Sequence, residues 1–176
     1  MKIILVRHPA PDIAPDLCYG RLDVPLRVDA GGAVRGIVAE LARHRLAHIR
    51  TSPARRCRVV AEAASAACGI PLHVDPRLQE LDFGAWEGVA WNDVPRAGLD
   101  AWAADLHGFA PPGGESGAAL LLRVAAVHQA LRDAAEDCAV VAHGGPLKLL
   151  AALLRGMAPD LSAPAPAIGS VQAFTC

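Results

Sequence analysis

Apolar residues in this chain fall into two kinds of run. Two runs are short and continuous, Ile3-Ile4-Leu5-Val6 and Cys138-Ala139-Val140-Val141-Ala142. Runs of this length, rich in β-branched residues, predict strands buried on both faces, as in a parallel sheet. The others are periodic. Val34, Ile37, Val38 and Leu41 share one face of a helix that Asp29 is placed to cap and that reaches about Arg45. Ser52 as N-cap and Pro53 at the first helical position predict a second helix, through Val59, Val60 and Ala63 to a closing Gly69. Leu120, Leu121, Val124, Val127 and Leu131 mark the inner face of a long helix ending near Ala135, and Pro146 starts another that runs to Arg155. Weaker strand patterns occupy residues 46–50, 71–74 and 170–175. Strands alternating with helices predict an α/β fold.

Irregular stretches separate these elements. Pro11 to Pro25 is punctuated by proline and shows no periodicity, and a loop of that length in a compact domain is usually functional. A second loop, 76–88, carries carboxylates between apolar anchors. Residues 86–112, with Trp91, Trp102 and a short apolar helix near Leu99–Leu106, read as an excursion that caps a cleft. The expected organisation is one domain, 1–176, with that cap.

Composition narrows the class. At 176 residues the chain buries a core without metal or disulfide staples. With 53% hydrophobic but only 4% aromatic residues, that core is built from Ala, Val and Leu. A net charge of −1 supplies no general attraction to nucleic acid or an acidic membrane surface. The five cysteines are odd in number and lack CxxC spacing, which predicts reduced thiols and a cytoplasmic protein. None is followed by arginine at the spacing C-x5-R, so cysteine-phosphatase chemistry is not expected. The chain enters a strand at once, so no signal peptide is expected, and no apolar run has the length of a membrane span.

The chemistry sits at the ends of the two continuous runs. Arg7-His8-Pro9 follows the first and His143-Gly144-Gly145-Pro146 the second. In open α/β sheets ligands collect beyond the carboxyl ends of the strands. Arg55 and Arg56 fall in the first turn of the second helix, where free N–H groups and the helix dipole already favour an anion; with Arg58 they also fit a solvated basic face. Two imidazoles, arginines and the loop carboxylate Glu80 together fit phosphoryl transfer through histidine. A neutral imidazole attacks phosphorus directly, guanidiniums balance the equatorial oxygens, and a carboxylic acid protonates the departing alkoxide. His44 and His48 are four apart but lack a third ligand, so no zinc site is expected. Gly144-Gly145 is not a dinucleotide-binding fingerprint.

Five segments, LVRHP at 5–9, SPARRC at 52–57, QELDFGAWEG at 79–88, PGGES at 112–116 and VVAHGGPLKLL at 140–150, resemble the motifs of the histidine phosphatase (phosphoglycerate mutase-like) superfamily, in its order and over nearly the full chain. The resemblance implies a three-layer α/β/α sandwich with a mostly parallel central sheet. It implies that His8 is the phosphorylated nucleophile, that Glu80 is the proton donor, and that Arg7, Arg56 and His143 form the phosphate pocket. Arg56 is preferred to Arg55 because the SPxxR spacing places the family arginine there. The segment Cys18-Tyr19-Gly20-Arg21-Leu22-Asp23-Val24-Pro25-Leu26 resembles the CYGxxDxPL loop of α-ribazole phosphatases of cobalamin assembly, which implies substrate contacts at Tyr19, Gly20 and Arg21, with Gly144 from the second histidine motif. The implied partner is a small phosphate ester, with no cofactor, no metal, no nucleic acid and no membrane, and a homodimer is left open. Two departures stand out. Pro9 replaces the glycine of the usual RHG, removing a backbone N–H that would face phosphate, and Ala14 stands where the family has asparagine.

Overall fold

The computed structural model describes residues 1–175, so Cys176 lies outside the described residues. Five strands form one sheet: β1 (Lys2–Arg7), β2 (His48–Thr51), β3 (Leu72–Val74), β4 (Cys138–Ala142) and β5 (Val171–Thr175). Their spatial order is β3-β2-β4-β1-β5, parallel except for β5, which runs antiparallel to β1 and covers its outer edge. The described residues contain five α-helices, α1 (Gly31–Leu41), α2 (Arg55–Cys68), α3 (Arg96–Ala104), α4 (Gly117–Ala134) and α5 (Gly144–Leu154), of which α1, α2, α4 and α5 cover the sheet.

The side-chain alternation of the two central strands builds both cores. Ile3 and Leu5 of β1, with Cys138 and Val140 of β4, pack against Val124, Val127 and Leu131 of α4 and Leu147 and Leu150 of α5. Ile4 and Val6, with Ala139 and Val141, pack on the opposite face against Ile37 and Leu41 of α1 and Val60 and Ala64 of α2. The result is a three-layer α/β/α sandwich with a mostly parallel sheet. A strand covered on both faces has no polar side to present, which is why these two runs are continuous. Among the described residues no helix is long and apolar enough to cross a membrane.

Helix starts differ from the expected ones. Asp29 lies in a short 3-10 turn and pairs with Arg27, while α1 begins at Gly31 without a side-chain cap and ends at Leu41, short of Arg45. Ser52 is not the N-cap of α2: Ala54 holds that position, and the Asp23 carboxylate accepts the Arg55 N–H at 2.7 Å from 32 residues away. α5 starts two residues before Pro146, directly after His143. Proline is tolerated in the first turn of a helix because its missing N–H has no intrahelical partner there. Helix α3 starts at Arg96 and ends at Ala104, slightly before the expected span.

Candidate active site

The two histidines meet because their strands are neighbours. β1 and β4 pair in parallel with Arg7 opposite Ala142, so the residue after each strand lands beside the other. The His8 N–H donates to the Ala142 carbonyl at 3.2 Å, and the two imidazole centroids stand 5.1 Å apart. The chain leaves β1 toward α1 on one face and β4 toward α5 on the other. This divergence opens the crevice in which α/β sheets bind ligands.

Both rings are buried, each about 1% exposed. His8 Nδ1 lies 2.7 Å from the Pro9 carbonyl oxygen, which only accepts, so Nδ1 carries the proton and Nε2 presents its lone pair. Pro9 has no N–H to offer an anion, but its carbonyl performs this orienting task unimpaired. Burial, reinforced by the Arg56 and Arg7 charges, outweighs the Pro9 hydrogen bond and lowers the His8 pKa to about 3. His143 is held well below its ordinary value, first by burial and then by Arg56 and its neighbours. Its Nε2 is 2.8 Å from Ser52 Oγ, and Cys57 Sγ packs against the same nitrogen at 3.5 Å. Ser52 therefore steadies the second imidazole, and its Oγ also accepts the Ala54 N–H.

The two adjacent arginines of α2 divide sharply. Arg55 is exposed, while Arg56 is completely buried. The Arg56 guanidinium donates to the carbonyls of Gly20 at 2.6 Å and Leu22 at 2.9 Å, directs Nε toward His8 Nε2 at 3.4 Å, and lies over the Tyr19 ring. It thus ties the proline-punctuated loop to the histidine. A Cβ on Gly20 would overlap the Leu81 carbonyl oxygen, so only glycine lets the loop come this close. Arg7 donates to the Pro166 carbonyl at 2.6 Å, and its buried Nε has no hydrogen-bond partner among the described residues. Gly144 packs beside the Arg7 guanidinium, where a side chain would crowd it.

Glu80 reaches the same centre from the loop after β3. Its carboxylate accepts the Gly145 N–H at 3.1 Å, in the first turn of α5, and its own neighbour's N–H, from Leu81, at 3.0 Å. A Cβ on Gly145 would overlap Glu80 Oε1. Arg123 of α4 clamps this loop by donating to the carbonyls of Arg77, Gln79 and Glu80 at 2.6, 2.5 and 2.9 Å. The Glu115 carboxylate holds Arg123 in a bidentate pair at 2.7 and 2.8 Å and also pairs with Arg21. These three carbonyls have no sequence signature and Arg123 lies outside the motifs, while Ser52 opens the SPARRC motif but reads there as a helix cap and not as the partner of His143. Asp82 and Glu87 are structural: Asp82 accepts the Gly84 N–H and pairs with Arg21, and Glu87 accepts the N–H groups of Arg21, Leu22 and Phe83.

Arg7, His8, Tyr19, Arg56, Glu80 and His143 all line one cavity of about 620 Å³. Its outer walls are apolar, formed by Phe83, Trp91, Trp102, Leu106, Leu120 and Leu161. Trp91 and Trp102 stack with their rings 9° from parallel and 6.1 Å apart. Lys148, which lies within the VVAHGGPLKLL segment but has no role expected for it, also lines the cavity; its ammonium donates to the Leu161 and Ala163 carbonyls at 2.5 and 3.0 Å and so holds the segment that follows α5. Gly20 and Arg21 line a smaller, adjoining cleft.

Residues 3–167 match the profile of the histidine phosphatase superfamily, branch 1. The chain belongs to that superfamily. As a histidine phosphatase-superfamily protein it is 29% identical over 164 residues to the adenosylcobalamin/alpha-ribazole phosphatase of Salmonella typhimurium, covering 89% of this chain and 81% of the relative. It is 30% identical over 173 residues to the glucosyl-3-phosphoglycerate phosphatase of Mycolicibacterium vanbaalenii, covering 90% and 76%. The solved alpha-ribazole phosphatase of Shigella flexneri superposes with a TM-score of 0.89 at 26% identity, covering 98% and 89%. The chain spans 43% of the length of other curated relatives it matches, among them a bifunctional protein of Mycobacterium tuberculosis at 30% identity over 85% of this chain.

Proposed function

We propose that this chain hydrolyses phosphate monoesters through a phosphohistidine. The observation that carries the reading is His8: Nδ1 is committed to the Pro9 carbonyl, so the lone pair of Nε2 faces the cavity beside Arg56. Substrate phosphate docks among Arg7, Arg56 and His143. His8 Nε2 attacks phosphorus, the P–O bond to the leaving group breaks, and Glu80 as a carboxylic acid gives its proton to the departing alkoxide. Water then attacks the phosphohistidine, its proton passes to the Glu80 carboxylate, and the P–N bond breaks. Guanidiniums aimed at the phosphoryl oxygens stabilise charge that spreads there in both transition states. Tyr19, Gly20 and Arg21 belong to the substrate-recognition loop, and residues 86–112 act as the cap of a single domain.

Within that reaction class we infer that the substrate is α-ribazole 5′-phosphate. The CYGxxDxPL loop, the likeness to the Salmonella and Shigella proteins, and the aromatic and aliphatic cavity walls support it. The likeness to the mycobacterial glucosyl-3-phosphoglycerate phosphatase favours a second reading, a sugar-phosphate phosphatase. A panel of phosphate esters that includes α-ribazole 5′-phosphate separates the two by kcat/KM. Acid-labile incorporation of phosphate into wild-type protein, absent from His8→Ala, tests the shared chemistry.

A further inference from the structure

Two openings reach the same pair of residues. Besides the large cavity, a cleft of about 230 Å³ is bounded by Gly20, Arg21, Asp23, Pro53, Ala54 and Gln79, and it too ends on Glu80 and His143. Of the residues lining the two spaces, only Glu80 and His143 are common to both. Their characters are opposite. The large cavity is walled by indole, phenyl and leucine side chains, suited to an organic leaving group, whereas the cleft is lined by a guanidinium, a carboxylate and an amide. At ~30 Å³ per liquid water the cleft holds several waters or one small polyol.

We propose that this cleft is the entry route for the phosphoryl acceptor, so that water, or a small alcohol in its place, reaches phosphohistidine without passing the leaving-group cavity. The proposal rests on the phosphohistidine reading and adds a second activity to it, transfer of phosphate to small polyols. The acceptor oxygen bonds to phosphorus, its proton goes to the Glu80 carboxylate left after the first step, and the P–N electron pair returns to His8 Nε2. The acceptor arrives through the cleft but takes the position opposite His8 Nε2 that the leaving group has vacated, so the carboxyl that gave its proton to the one takes it from the other, which is why Glu80 borders both spaces.

Ala54 is the residue by which to close the cleft. It precedes α2, is half-buried, and its side chain takes no part in the site, because its hydrogen bonds are all backbone ones, the N–H donating to Ser52 and the carbonyl accepting from the Cys57 and Arg58 N–H groups. The experiment is rapid-mixing kinetics with p-nitrophenyl phosphate, with glycerol as the added acceptor. In wild-type protein glycerol yields glycerol phosphate and raises kcat for nitrophenol release while kcat/KM, which reads only phosphorylation, stays unchanged. In Ala54→Leu the nitrophenol burst keeps its rate constant, steady-state turnover falls about tenfold, and the glycerol effect disappears. Gln79→Ala, which widens the cleft, raises the glycerol share of product and carries the test if the leucine variant does not fold. A glycerol-dependent fall in kcat/KM, or burst and turnover that both ignore the substitutions, overturns the acceptor route while leaving the phosphohistidine intact. Absence of any acid-labile phosphoenzyme in wild-type protein overturns the phosphohistidine reading and this proposal with it.

Discussion

The Arg56 guanidinium faces the imidazole of His8 across 3.4 Å, and both side chains are buried. Burial keeps the ring neutral and the fixed positive charge at that distance adds to it, and a neutral ring is the nucleophilic form. A buried neutral ring makes stability depend on pH. The unfolded chain protonates its histidines below about pH 6.5, whereas folded His8 resists until about 3 and His143 is lowered in the same direction. Below pH 6.5 the unfolded state therefore binds more protons, so the stability present above that pH is lost as pH falls toward 3. Each ring adds at most about 1.4 kcal/mol per pH unit. Urea unfolding of the ligand-free protein between pH 7 and 5 should show this slope, and His8→Gln should reduce it by close to one proton. An unchanged slope in the variant counts against a neutral buried His8.

Glu80→Gln removes the proton without removing the contact to α5. Turnover of alkyl phosphates should fall about 10²-fold or more, while p-nitrophenyl phosphate, whose leaving group needs little protonation, loses far less. Equal losses on both esters would deny Glu80 the role of acid.

Gly145→Ala probes the same carboxylate indirectly. The new Cβ would occupy the space of Glu80 Oε1, the far end of a flexible side chain that can swing aside. The expected outcome is a melting temperature within a few degrees of wild type and the leaving-group selectivity of Glu80→Gln. A large loss of stability with unchanged selectivity would refute it.

Gly20→Ala should behave in the opposite way. Its Cβ meets the Leu81 backbone carbonyl, which cannot move without shifting the loop that carries Glu80. Overpacking of this kind costs about 1–3 kcal/mol, read by urea or thermal unfolding. Wild-type stability in this variant would show that the loop does not need its close approach.

Arg123→Ala releases three loop carbonyls and leaves Glu115 with only its longer contacts to Arg21 and to the Asp82 N–H. Breaking a pair in which both partners are largely buried costs about 3 kcal/mol. Unfolding midpoints should fall accordingly, and a midpoint unchanged from wild type would mean that the clamp contributes nothing.

Much of this architecture was legible along the chain. The continuous runs at 3–6 and 138–142 are the two central strands, and Arg7, His8 and His143 stand at their ends as expected. The periodic leucines and valines of α4 face the core. What failed was local capping logic at Asp29 and Ser52. Asp29 found a nearer partner in Arg27, and Ser52 is engaged by His143. The cap of α2 comes instead from Asp23, a choice that exists only once the loop has folded back.

The sequence by itself determined which elements form the centre of the fold and which candidate residues stand at their ends, because burial on both faces of a strand and helical periodicity are written into neighbouring positions. Tertiary structure alone decided that β4 inserts between β1 and β2, that Arg56 turns inward while Arg55 faces water, and that Arg123 seizes the Glu80 loop from 43 residues away. Those outcomes depend on pairings between distant segments, whose energy appears only when the loops between them close. No local pattern of residues records it.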